Sequence, residues 1–190
     1  MSNSKVRMLV SVSMLSALSY LLTFIKFPLP VFPDFLTIDF SDIPAMIGAF
    51  IFGPLAGTLV LLIKNIINYI TTGSPVGFPV GQVANFVAGM LYVMPIYYIY
   101  RHFKGSKRGL LVGIGTGTLA MTLFMSLFNY IILLPLYLKL LNFDLGVSFA
   151  KAVVVSIMPF NLIKGVLVGY LFMLMFGRLK KWIERQQLQR

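Results

Sequence analysis

The sequence contains no cysteine. Disulfides, thiolate nucleophiles and thiolate metal ligands are therefore excluded. There is one histidine, His102, set in a basic stretch, and there are only five acids: Asp34, Asp39, Asp42, Asp144 and Glu184. None of the acids falls deep inside an apolar segment. A proton- or sodium-coupled transporter needs a carboxylate or a similar ion site at mid-membrane, so a self-powered transporter is disfavoured. Without a buried acid pair or a histidine cluster, neither a general acid–base pair nor a metal site is evident. The chain also lacks a G-x-x-x-x-G-K-[ST] loop, which removes ATP hydrolysis by that route. No repeat relates the two halves, which weakens the case for an inverted-repeat transporter.

What is present is apolar surface. Of the 190 residues, 58% are hydrophobic and 11% charged, and the mean hydropathy is +0.90. A soluble core of this size cannot hide that much apolar area, so an all-α integral membrane protein of one domain is expected. The apolar segments are 8–25, 43–52, 54–71, 79–100, 109–138 and 147–177, with a proline-rich outer loop at 26–42. Lys5 and Arg7 precede the first segment as in a signal peptide. No A-x-A site follows it, and it reads as an uncleaved span.

Charge then fixes the number of crossings. The net charge is +11, carried mainly by three tracts: Lys5/Arg7; Arg101, Lys104, Lys107 and Arg108; and Arg178, Lys180, Lys181, Arg185 and Arg190. Basic tracts face the cytoplasm. An even number of crossings must separate the first two, so 43–52 has to cross as its own element, divided from 54–71 at Gly53-Pro54. The expectation is a compact six-helix bundle with both termini cytoplasmic. Its short second helix would be buried among neighbours. Asp34, Asp39, Asp42 and Asp144 then lie outside with Lys26, Lys139 and Lys151. Tyr92, Tyr97, Tyr98, Tyr100 and Trp182 read as an inner interfacial belt. Small residues four apart, such as Ala45/Ala49, Gly53/Gly57, Gly113/Gly117 and Gly165/Gly169, permit close helix crossings.

The polar residues inside the spans carry the functional information. Lys64, Asn65 and Asn68 lie on the third span, Gln82 and Asn85 on the fourth. Thr118, Thr122, Ser126 and Asn129 share one face of the fifth. The hydroxyls are expected to bond carbonyls four residues back, and Asn65 and Asn68 to join helices. Lys64 can either reach water on its stem or neutralise an outer aspartate. On the sixth span Asn161 and Lys164 share a face, beside Pro159 and Gly165. A lysine inside a span costs about 2.5–3.5 kcal/mol on insertion scales, and a ligand that completes its hydrogen bonds would explain its presence. Amides plus one amine suit a polar ligand that is not strongly anionic, with aromatics to bury a flat body.

The segments "PFNLIKG" (159–165) and "PDFLTIDFSDIPAMIGAFIFGPLAG" (33–57) resemble the substrate-binding S components of energy-coupling factor (ECF) vitamin transporters, and among these the riboflavin-specific ones. The resemblance covers nearly the whole chain. It implies a high-affinity riboflavin receptor of the bacterial cell membrane. That receptor is not an enzyme, needs no cofactor, and works with a transmembrane coupling protein (EcfT-like) and two cytoplasmic ATPases (EcfA-like). Carried over, it implies that Asn161 and Lys164 meet polar atoms of the flavin, with Asn129 from the facing helix. Leu36, Thr37, Asp39 and Phe40 would come from the capping loop and Asn85 from the fourth span. A small-x-x-x-small motif on the first helix docks the coupling protein in that family; the best match here is Ser13/Ala17. An S component for another vitamin such as thiamine, and a membrane-embedded enzyme, are the alternatives.

Overall fold

The computed structural model describes residues 3–30, 32–33, 36–74, 77–141 and 146–188. The expectations placed on Asp34, Asp144 and Arg190 fall outside them. The elements in chain order are α1 (Asn3–Leu22), β1 (Phe27–Pro28), β2 (Thr37–Ile38), α2 (Asp42–Phe52), α3 (Pro54–Thr72), α4 (Val80–His102), α5 (Lys107–Phe128), α6 (Leu134–Leu141), α7 (Phe149–Ala152) and α8 (Met158–Leu188). Among the described residues, five helical stretches are long and apolar enough to cross a membrane: Lys5–Leu22, Pro54–Thr72, Val80–His102, Lys107–Lys139 and Phe149–Ile183. The eleven-residue α2 is a sixth, shorter apolar helix, about 16 Å long at helical rise.

Two of the long stretches are interrupted in the same way. A π-helical turn, Asn129–Leu133, joins α5 to α6, and another, Val153–Ile157, joins α7 to α8. Each turn stops two residues before a proline, Pro135 or Pro159. Proline has no N–H to give, and its ring crowds the carbonyl four residues back. Widening the preceding turn relieves that clash and keeps the rod continuous, a common origin of local helix distortion.

The core is built around α2. Every residue of α2 is buried. It forms a hairpin with α3 and is also packed by α1, α4 and α8. Gly53 makes the hairpin possible: its φ of 95° lies where side chains are disfavoured, its N–H caps Ala49 O at 2.9 Å, and Pro54 starts α3 at a position that lacks a hydrogen-bonding duty. Further along, Gly57 lies so close to α2 that a Cβ there would sit 2.7 Å from the Ala49 Cβ. Below this contact Phe50 of α2 meets the rings of Tyr97, Tyr100, Phe172 and Phe176 with centroids 4.8–6.1 Å apart. Tyr100 therefore belongs to the core. Tyr92 does too, at 1% exposure: its hydroxyl donates to Gly165 O at 2.7 Å and ties α4 to α8. Of the four tyrosines expected at an interface, Tyr98 is the exposed one. The helices crowd where Tyr92 and Tyr100 project inward, and a buried hydroxyl with a backbone partner needs no water.

The loop after α1 folds back over this bundle. Its β1 and β2 pair antiparallel, Phe27 opposite Ile38. Phe32 packs edge-on against Phe160 of α8, with ring centroids 5.8 Å apart.

Gly57→Val should force α2 and α3 apart and cost about 1–3 kcal/mol, the usual range for overpacking. Thermal unfolding in detergent is expected to show a clearly lower midpoint, with the equivalent change at exposed Gly115 as the silent control.

Candidate functional site

At the end of the bundle covered by the loop, two lysines are buried far from any basic tract. Lys64 of α3 is fully buried and Lys164 of α8 is 7% exposed. Their counter-charges come from one short stretch at the start of α2. Lys64 Nζ donates to Asp42 Oδ1 and to Ser41 Oγ, both at 2.6 Å. Lys164 Nζ is 3.7 Å from Asp39 Oδ2. Ser41 joins the two pairs: its backbone N–H donates to Asp39 Oδ1 at 2.9 Å, and its hydroxyl donates to the same oxygen. Ser19 of α1 donates to Ser41 O. Two cations and two carboxylates thus balance in a network spanning α1, the loop, α2, α3 and α8. Of the two routes open to Lys64, pairing with an aspartate is the one taken. Burial alone would raise the Asp39 carboxyl, but the Lys164 and Lys64 cations and the Ser41 hydrogen bonds outweigh it and hold it below the usual carboxylate range.

Asp39 and Lys164 border a cavity of ≈ 160 Å³, open at one side. Leu36, Thr37 and Asp39 of the loop line it, with Asn85 of α4, Asn129 at the end of α5, and Asn161 and Lys164 of α8. Seven residues implied by the family resemblance are thereby brought together. Phe40 is not among the lining residues; its ring packs on Phe27 at 6.0 Å. Thr37 and Asp39, two residues apart, line the cavity, and Ile38 between them is fully buried.

The amides are set up for a partner. Asn129 Nδ2 donates to Met125 O at 2.8 Å and Asn161 Nδ2 to Ile157 O at 2.9 Å. Each bond fixes its amide against its own helix and leaves the side-chain oxygen and a second N–H for other contacts. Asn129 opens one π turn and Asn161 bonds the last residue of the other; such turns are frequent at functional sites. Asn85 Oδ1 is buried with no partner among the described residues, an arrangement that a ligand donor would relieve. Gly81, Ala84, Ala88, Met125, Leu133, Tyr137 and Phe160 complete the wall. Their apolar or small character gave no signal in the sequence; only Ala84 and Ala88, on either side of Asn85, hint at a face left open for something flat.

The other interior polar groups divide. Asn65 Nδ2 bonds Leu61 O within its own helix at 2.8 Å, whereas Asn68 accepts from Gln82 of α4 at 3.2 Å and does join helices. Thr118, Thr122 and Ser126 do not bond the carbonyls one turn back: their hydroxyl oxygens are buried without partners among the described residues. Thr118 is pressed against Gly165, where a Cβ would lie 2.6 Å from its Oγ1, so helix contact governs its placement. No group of acids and histidines that could hold a metal occurs among the described residues. On α1, Ser13 and Ala17 are both exposed, in a face with exposed Leu9, Val10, Met14 and Leu18. The Ser13 hydroxyl donates to Leu9 O at 2.9 Å.

Residues 7–176 match the family model described as "ECF transporter, substrate-specific component". Among similar curated proteins, "Riboflavin transporter FmnP" of Bacillus subtilis (strain 168) is 49% identical, covering 96% of this chain and 97% of that protein. "Riboflavin transporter RibU" of Staphylococcus aureus (strain TCH60) is 42% identical, covering 93% and 92%. A solved structure described as the S component of a bacterial ECF transporter superposes with a TM-score of 0.80 at 41% identity, covering 94% of this chain and 98% of the other.

The charge network makes two predictions. Lys64→Met alone strands the Asp42 carboxylate and should destabilise by about 3–5 kcal/mol; adding Asp42→Asn should recover much of that loss in thermal unfolding. Asp39 has a depressed folded-state value, so its stabilisation is present above the unfolded value and lost as pH falls through the folded one. The unfolding midpoint should hold from neutrality down to about pH 5 and drop below about pH 4, and Asp39→Asn should flatten that acid limb.

Proposed function

The chain belongs to the substrate-specific components of ECF transporters, a family of multi-pass membrane transporter subunits and not of enzymes, and from that premise we propose how it works. It is the riboflavin-binding subunit of an ATP-driven vitamin importer. The observation that carries this reading is the cavity. It gathers three asparagines and a charge-balanced Lys164–Asp39 pair against apolar walls, a lining suited to an uncharged, flat, hydrogen-bonding solute. Relatives up to 49% identical are named riboflavin transporters.

In this proposal Asn161, Lys164, Asn129 and Asn85 meet the polar atoms of the flavin. Leu36, Thr37 and Asp39 cap it, and Phe40 supports the cap through Phe27. The cavity of ≈ 160 Å³ is below the roughly 300–1,000 Å³ of sites that enclose such ligands. The cap therefore shifts outward when the vitamin enters. The lysine stays within a span because the ligand completes its hydrogen bonds in a dry site.

The protein crosses the bacterial cell membrane six times, with spans at about 8–25, 43–52, 54–71, 79–100, 109–138 and 147–177, loop 26–42 outside and both termini in the cytoplasm. The basic tracts support this parity. Recognition is its whole contribution: a coupling protein docks on the Ser13/Ala17 face of α1, and two cytoplasmic ATPases supply the energy. A small-residue face whose only hydroxyl is satisfied by its own helix permits a close crossing that can slide.

Protein purified from riboflavin-fed cells is expected to be yellow, and the purified protein to quench added riboflavin fluorescence. Lys164→Met combined with Asp39→Asn, which leaves no buried carboxylate stranded, should keep the fold and, measured against Asp39→Asn alone, weaken binding by about tenfold or more; a change within about twofold, under ~0.4 kcal/mol, would make the lysine structural. Vesicles containing this chain alone should bind riboflavin without accumulating it.

A further inference from the structure

At the opposite end of the bundle lies a second, larger cavity of ≈ 360 Å³, between the turn joining α4 to α5 and the last part of α8. Arg101, Lys104 and Lys180 surround it, and Tyr100, Phe176 and Ile183 form its floor. The seven residues that line it include three cations and no acid. The three apolar residues are buried, while Arg101 and Lys104 are exposed at the rim. This cavity shares no lining residue with the proposed vitamin site, and none of the roles proposed above uses these cations.

The turn itself is built to present a charge. Lys104 N–H donates to Arg101 O and Gly105 N–H to Tyr100 O, at 3.1 and 3.0 Å. This is the helix-ending motif in which the first residue after the cap adopts the left-handed conformation, a place that normally takes glycine. Here it holds a lysine, at φ 51°, the one non-glycine residue with positive φ among those described. Glycine follows immediately at 105. Lys180 Nζ donates to Gly105 O at 3.4 Å, which draws α8 and the turn around the same space. A cation is thus kept at a backbone position that resists it, next to two other cations and above an apolar floor, at the end of the bundle that the topology proposed above puts at the membrane surface.

We propose that this cavity binds the phosphate of an anionic phospholipid headgroup. Arg101 and Lys104 engage the phosphate oxygens, Lys180 closes the inner side, and the floor of Tyr100, Phe176 and Ile183 receives the glycerol and upper acyl carbons. Basic pockets between membrane helices have the chemistry for such headgroups. The rim placement favours a lipid over a free anion, because the apolar floor would add nothing for inorganic phosphate.

The test is native mass spectrometry of the full chain in neutral detergent, titrated separately with phosphatidylglycerol, phosphatidylcholine and inorganic phosphate. One phosphatidylglycerol should be retained selectively. Lys104→Gly should weaken that retention by about fivefold, the equivalent of one surface cation, while its thermal midpoint stays equal or rises, because the backbone is relieved. Arg101→Gln should weaken it similarly, and Lys139→Gln, which removes a charge at the other end, should not. Equal retention of phosphatidylcholine, equal loss in Lys139→Gln, or saturation by inorganic phosphate without lipid selectivity would each overturn the assignment.

Discussion

Four charges buried at one end of the bundle constrain most of what surrounds them. Lys64 and Lys164 project from α3 and α8, and Asp39 and Asp42 answer them from four residues of chain. Neither lysine could remain charged in an apolar interior without a partner. The loop must therefore end where it does, α2 must begin where it does, and α3 and α8 must flank it. Ser41 turns two ion pairs into one network by bonding members of both. The cavity lined by Asp39 and Lys164 opens beside this network.

The network also explains why the site can be polar and nearly neutral together. Lys164 faces the cavity with its counter-ion beside it, so a ligand meets a dipolar wall and not a bare cation. Asn129 and Asn161 extend that wall from two helices whose turns have been widened ahead of Pro135 and Pro159. Each proline distorts its rod near the cavity, and each rod places an asparagine there. Helix distortion and the cavity thus fall in the same part of the bundle, while the lower part, around Phe50, is regular and closely packed.

Much of this was legible in the sequence because hydropathy and charge act over long stretches. The long apolar segments, the break at Gly53-Pro54 and the small-residue crossings all follow from composition and period. The family was readable from 33–57 and 159–165, two segments that both send residues to the cavity. Other features depend on geometry at single residues. Hydrophobic period cannot distinguish an α turn from a π turn, so the two interruptions left no trace except their prolines. Lys64 had two physically reasonable fates, and only the position of Asp42 decides between them. The Thr118–Ser126 stripe was expected to bond its own backbone. Close contact with α8 at Gly165 controls Thr118 more strongly than a local hydrogen bond does. Tyr92 and Tyr100 share their composition with interfacial tyrosines, and rotation about the helix axis turns them inward.

The α2–α3 hairpin has a consequence for biogenesis. Eleven residues are too few for α2 to be threaded into the bilayer unaided, and α3 on its own would carry an unpaired lysine. Joined at Gly53, the two helices hold Asp42 against Lys64, so the hairpin brings its own neutralising partner as it leaves the ribosome. Insertion can then proceed with a single electroneutral unit, in which the short helix enters as passenger of the long one.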